Sequence, residues 1–216
     1  MYITTKEITI YTFDELSEKA KARAREWLLD DPLRAEVFED TVNDDLQNLF
    51  PSSDLRVSFS LGYCQGDGLN TCGQLDFSDM FTAAQRAPRV SGALDSFTEK
   101  EKSRLAFYLP YVAKYTLESD RSYCYSCKFL DLRYAEYTAH DWIEALQADY
   151  IRDIDSDLIR RFVRASFEWL DAYDREQEKA GYEELYPDDD ALSEECVLNG
   201  FEFFENGEFA GCNLPF

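Results

Sequence analysis

From about Asp155 to Tyr173 the large apolar residues return in pairs: Leu158/Ile159, Phe162/Val163, Trp169/Leu170 and then Tyr173. Returns after three, four or seven residues keep to one helical face. Arg160, Arg164, Glu168, Asp171 and Arg175 fill the other face. An apolar stripe this long has to be covered by other elements, because an isolated helix gains little from its own hydrogen bonds. The spacing therefore predicts a long helix from about Asp155.

The remaining segments supply both helices and hairpins. KEITIYT over 6–12 alternates Ile8, Ile10 and Thr12 with Glu7, Thr9 and Tyr11, which predicts a strand. Ser17 is placed to cap a helix carrying Ala20, Ala24, Trp27 and Leu28 on one face, stopped by Pro32. A second helix is expected from Ala35 to Phe50, with Val37, Phe38, Val42, Leu46 and Leu49 buried. Leu55, Val57, Phe59 and Leu61 alternate with polar residues in a half-buried strand over 55–63. Gln65-Gly66-Asp67-Gly68 turns the chain, and a paired strand is expected at Gln74–Phe77.

Residues 82–97, with Pro88 and Gly92, read as a loop. Thr98 and Glu101 have capping-box spacing and open a helix through about Tyr108. Tyr111–Leu117 and Tyr123–Tyr134 read as antiparallel strands, and Thr138 as the start of a helix holding Trp142, Ile143 and Leu146. Asp188–Leu198 is a short helix, and Phe201–Phe209 closes as a hairpin on Asn206-Gly207. Helices and hairpins alternate without a βαβ rhythm. The expected class is α+β: an antiparallel sheet built from hairpins and packed against several helices. No linker stands out, so one domain over 1–216 is expected, with an acidic helical and hairpin segment from about 155.

The chain carries 44 acidic and 22 basic residues, a net charge of −22. Such a field repels nucleic acid and anionic membranes and attracts basic surfaces. The surplus is uneven. Residues 168–216 hold 15 acidic and 2 basic residues, more than half of the excess. Glu183, Glu184, Asp188, Asp189 and Asp190 are the densest part of that segment. On the second helix Glu36, Asp40 and Asp44 recur at every fourth position and line one row. Carboxylates one helical turn apart lie roughly 5–6 Å from each other, close to the separation of successive phosphates on one strand. The plainer reading is a solvated acidic surface that keeps the protein soluble.

Candidate catalytic groups are few. His140 is the single histidine, which rules out zinc sites built on several. It stands where a first helical turn is expected. Cys124 and Cys127 form a CxxC, and Cys64 and Cys72 flank the glycine turn. A strand directs residues three apart to opposite faces, so free cysteines are expected there, not a metal knuckle. Gln65-Gly66-Asp67-Gly68 lacks the Lys-Ser/Thr ending of a phosphate loop, although Asp67 could meet a partner from an exposed turn. No calcium-loop pattern accompanies Asp188-Asp189-Asp190, where Asp188 suits a helix cap. No cofactor is expected. No run approaches the length of a membrane span, and the opening residues lack a signal peptide's basic and apolar regions, so a cytoplasmic protein with reduced cysteines is expected.

Three segments carry a resemblance: IYTFDELSEKAKARA over 10–24, SFSLGYCQGDG over 58–68 and ALSEECVLNGFEFFENG over 191–207. Together they resemble a group of small phage and prophage proteins loosely labelled antitoxin-like. The resemblance covers both ends and the glycine turn, and it implies a phage source without implying any catalytic residue. Charge and resemblance together give the expectation of a non-enzymatic inhibitor of a host defence nuclease. Its partner would be the basic nucleic-acid-binding surface of that protein, met by Glu36, Asp40, Asp44, Asp67, Glu183, Glu184, Asp188, Asp189 and Asp190. The alternative expectation is an antitoxin-like protein that neutralises a toxin through aromatic contacts, with Tyr63, Tyr123 and Tyr125 as candidates.

Overall fold

In a computed structural model of the protein, residues 8–63, 67–87, 89–112, 114–117 and 132–211 are described. Among them are seven α-helices and one antiparallel sheet of three strands, an α+β fold. The helices are α1 (Glu18–Leu29), α2 (Leu33–Leu49), α3 (Phe77–Arg86), α4 (Glu99–Tyr108), α5 (Leu132–Ala148), α6 (Ser156–Leu185) and α7 (Asp189–Asn199). The strands are β1 (Asp54–Ser60), β2 (Gly68–Leu75) and β3 (Tyr115–Leu117), paired in the order β1-β2-β3. Backbone contacts group these into two compact units, one of residues 1–38 with 181–216 and one of residues 39–180.

The first unit contains α1, the start of α2 and α7. Ser17 caps α1 by accepting the Ala20 N–H. Asp188 caps α7 by accepting the Ala191 N–H at 3.0 Å. Ala20, Ala24 and Leu28 on α1 meet Leu192 and Cys196 on α7, with Phe13, Leu16 and Phe203 completing the cluster. Burial pushes the Cys196 thiol up to about 11, so it remains a neutral core group. The expected hairpin forms: Phe204 N–H bonds to the Glu208 carbonyl at 2.8 Å, and Gly207 turns with φ +83° against the Ala20 backbone. The strand expected over 6–12 reduces, in its described part, to a single bridge between Tyr11 and Phe203. Trp27, expected inside, lies at the margin. It is 41% exposed and stacks on Phe209 with centroids 4.3 Å apart.

In the second unit β1 pairs with β2 in register from Asp54↔Gln74 to Ser60↔Gly68. The return strand thus begins at Gly68, six residues before the expected Gln74. Phe77 does not extend it but opens α3, which Asp76 caps by accepting the Ser78 N–H at 2.8 Å. Phe77, Met80, Phe81 and Ala84 then share a buried face. The expected loop at 82–97 consequently holds the end of α3 and a 3-10 turn at Ser91–Leu94. The capping box forms as expected: Thr98 Oγ1 and Glu101 exchange hydrogen bonds with each other's backbone N–H. The strand expected at Tyr111–Leu117 is cut to three residues, because a 3-10 turn containing Pro110 occupies Leu109–Tyr111. Of the strand expected at Tyr123–Tyr134, residues 123–131 lie outside the described ones, and Leu132–Tyr134 belong to α5.

Of the paired apolar residues of α6, Leu158, Ile159, Phe162, Val163, Leu170 and Tyr173 are buried in this unit, while Trp169 is half-buried and donates Nε1–H to the Arg89 carbonyl at 2.9 Å. Phe162 lies 6.1 Å from Phe77, Phe81 and Trp142 and 6.3 Å from Phe97, measured between ring centroids. On the sheet side Tyr115 of β3 meets Phe167, and Thr71 of β2 meets Asp174.

Candidate functional site

Carboxylates on this chain fall into those the fold consumes and those it leaves outside. Asp67 is only 7% exposed and accepts the Gly62 N–H at 2.7 Å, so it closes the β1–β2 hairpin. Asp79 is buried and accepts from Ser52 N and Ser53 Oγ at 2.7 and 2.8 Å. Asp45 accepts from Arg89 at 2.8 Å and from the Tyr173 hydroxyl at 3.0 Å. Burial first, and then the charge of Asp45, push the Tyr173 hydroxyl well above the usual phenol range.

In the first unit arginines are interleaved with the dense acidic segment. Arg25 grips Asp189 in a bidentate pair, Nε to Oδ1 at 2.5 Å and Nη2 to Oδ2 at 2.6 Å. Those hydrogen bonds hold Asp189 below the ordinary carboxylate range and raise Arg25. Arg34 binds both oxygens of Glu195 and also donates to the carbonyls of Leu28 and Glu184. Arg23 pairs with Glu208 at 2.5 Å, and Asp14 accepts from Ser193. Asp188 is taken up as the α7 cap. Glu183, Glu184 and Asp190 have exposed side chains. The segment that is densest in acid is therefore partly neutralised, and it is not a uniform ridge.

The second helix behaves differently. Phe38, Val42 and Leu46 are buried at every fourth position, and Leu49 is half-buried. Glu36, Asp40 and Asp44 each stand two residues earlier, which rotates them by about 200° to the opposite face. All three are exposed, as is Glu39 beside them. None of the four side chains makes a hydrogen bond or ion pair among the described residues. The first and last of the row are separated by about 12 Å along the axis. From Ala35 to Leu49 the helix has no Lys or Arg. The helix alone sets this spacing. Val37, expected inside, is 58% exposed, because it precedes the buried row by one residue and so by about 100°.

The row can attract Lys, Arg or other cationic groups, and the arginines that neutralise the α7 segment were not foreseeable as its partners. Arg25 and Asp189 are 164 residues apart, and no local signal joins them. His140 is exposed on α5, with Nε2 3.7 Å from Glu144 one turn away. Cys64, Cys124 and Cys127 lie outside the described residues, while Cys72 is buried with its thiol directed at the Arg56 carbonyl. Among the described residues no group of three His, Cys, Asp or Glu side chains is gathered to hold a metal ion. No described helix is long and apolar enough to cross a membrane. No protein-family model matches the chain, and no curated protein or solved structure is significantly similar to it.

Proposed function

We propose that the protein is a phage-encoded, non-enzymatic inhibitor that occupies the basic nucleic-acid site of a host defence nuclease of the CRISPR or restriction type. The row Glu36, Asp40 and Asp44 carries this reading: three exposed carboxylates, one helical turn apart, with no basic residue of the chain paired to them among the described residues. Neighbouring like charges on a helix each cost about 0.2–0.5 kcal/mol. Among the described residues no intramolecular side-chain bond offsets that cost, which suits a row whose partner is another molecule. Lys and Arg that otherwise hold phosphates would meet the carboxylates through charge-assisted hydrogen bonds. Exposed Glu184 and Asp190 would extend the attraction, whereas Asp67 and Asp189 are engaged within the fold.

The test is inhibition of DNA cleavage by a panel of purified CRISPR and restriction nucleases, with the triple variant E36K/D40K/D44K beside the wild type. Inhibition by the wild type, weakened about tenfold or more in the variant and falling as salt rises, is expected. Affinity that stays constant from low to high salt overturns the mimicry. A second reading, direct neutralisation of a toxin, is favoured by Tyr63, which is 72% exposed beside the hairpin turn. In that case Tyr63→Ala abolishes binding and the triple charge reversal does not.

A further inference from the structure

Helix α7 has apolar residues on both faces. Leu192 and Cys196 enter the core of the first unit, yet Val197 and Leu198 are 72% and 85% exposed at the end of the same helix. The helix cap does not need them outside. Gly200 terminates the helix with φ +65°, and the Phe201 N–H returns to the Cys196 carbonyl at 2.8 Å. On α2, Leu33 and Val37 form a second exposed apolar pair one turn apart.

Arg34 ties these two helices together. Its guanidinium binds Glu195 of α7, and its side chain is largely buried in doing so. Val37 lies three residues beyond Arg34 and Leu198 three beyond Glu195, so each shares a helix face with one end of that ion pair. The apolar pairs are bordered by exposed Glu36 on α2 and exposed Glu194 on α7. Phosphate mimicry has no use for exposed Leu and Val, whereas a protein partner does.

We infer that this face docks a basic amphipathic helix, one with an apolar ridge flanked by Lys or Arg. The acidic border selects the charge of the occupant, and Val197 and Leu198 select its apolar ridge. The inference shares with the preceding reading only the attraction of α2 for a basic partner.

The probes are two synthetic helical peptides with equal numbers of lysines, one with a leucine face and one with alanine in place of leucine. Affinities are measured by calorimetry. Wild-type protein should bind the leucine peptide about tenfold more tightly than the alanine peptide. V197S/L198S should bring that ratio to about one, with an unchanged circular dichroism spectrum, since both positions are on the surface. E36K/E194K should weaken both peptides alike and leave the ratio intact. Equal wild-type affinity for the two peptides, no binding of either, or a preference that survives V197S/L198S overturns the inference. Loss of nuclease inhibition in the α2 charge variant bears on the preceding reading and does not alter this ratio.

Discussion

Asp174 on α6 is 3% exposed and faces β2, where its carboxylate accepts the Thr71 N–H at 3.1 Å and the Thr71 hydroxyl at 2.6 Å. Burial raises its pKa from 3.8 to about 7; the two bonds from Thr71 pull it down, and the charges of Asp171 and Glu178 add to the rise. The folded protein therefore keeps a proton that the unfolded chain gives up at lower pH. Stability from this group is complete below the unfolded pKa, declines as pH rises, and is lost above the folded pKa. Between about pH 5 and about pH 8 the loss amounts to roughly 2–3 kcal/mol.

Asp174→Asn isolates that loss. The amide oxygen can accept from Thr71 N–H, and the amide nitrogen can donate to the Thr71 hydroxyl, so both contacts are kept without a charge. General repulsion within this acidic protein also grows with pH, but it is common to both proteins and cancels in their difference. Urea unfolding followed by tryptophan fluorescence at the two pH values gives that difference. The variant should gain on the wild type by roughly 2–3 kcal/mol between about pH 5 and about pH 8. A stability difference that is the same at both values would refute the assignment of a protonated, buried carboxyl to Asp174.

Substitutions at two further positions probe the first unit. Arg34→Ala removes the Nη2 ion pair to Glu195 and leaves the Leu28 and Glu184 carbonyls without that donor, so a loss of roughly 1–3 kcal/mol in urea unfolding is expected. Arg34→Lys should recover only part, because one ammonium cannot span the Leu28 and Glu184 carbonyls and Glu195 as the three guanidinium nitrogens do. Gly207→Ala forces a side chain into a left-handed turn and against the Ala20 carbonyl, and should lower the melting temperature through a loss of about 1–3 kcal/mol.

Much of the candidate site is legible in the amino-acid order alone. The row Glu36, Asp40 and Asp44 is a property of helical spacing, and it emerges exposed because Phe38, Val42 and Leu46 take the opposite face. Asp67 misleads. A polar residue between two glycines reads as an exposed loop tip, but its carboxylate turns inward to the Gly62 N–H. Helix α3 is hidden because GQLDF continues an apolar alternation, and only the Asp76 cap followed by Phe77, Met80, Phe81 and Ala84 marks where the period changes.

What the sequence determined by itself is local chemistry: the caps at Ser17, Thr98 and Asp188, the α6 stripe and the Asn206-Gly207 turn. Each is decided by side chains meeting backbone or one another within a few residues, so the order of amino acids suffices. Only the tertiary structure decided which carboxylates remain available. Asp174 meets Thr71 across 103 residues and Asp189 meets Arg25 across 164. Such pairs form when packing brings distant segments together, and a carboxylate's charge reaches solvent or is spent inside according to that packing and not to its neighbours in the chain.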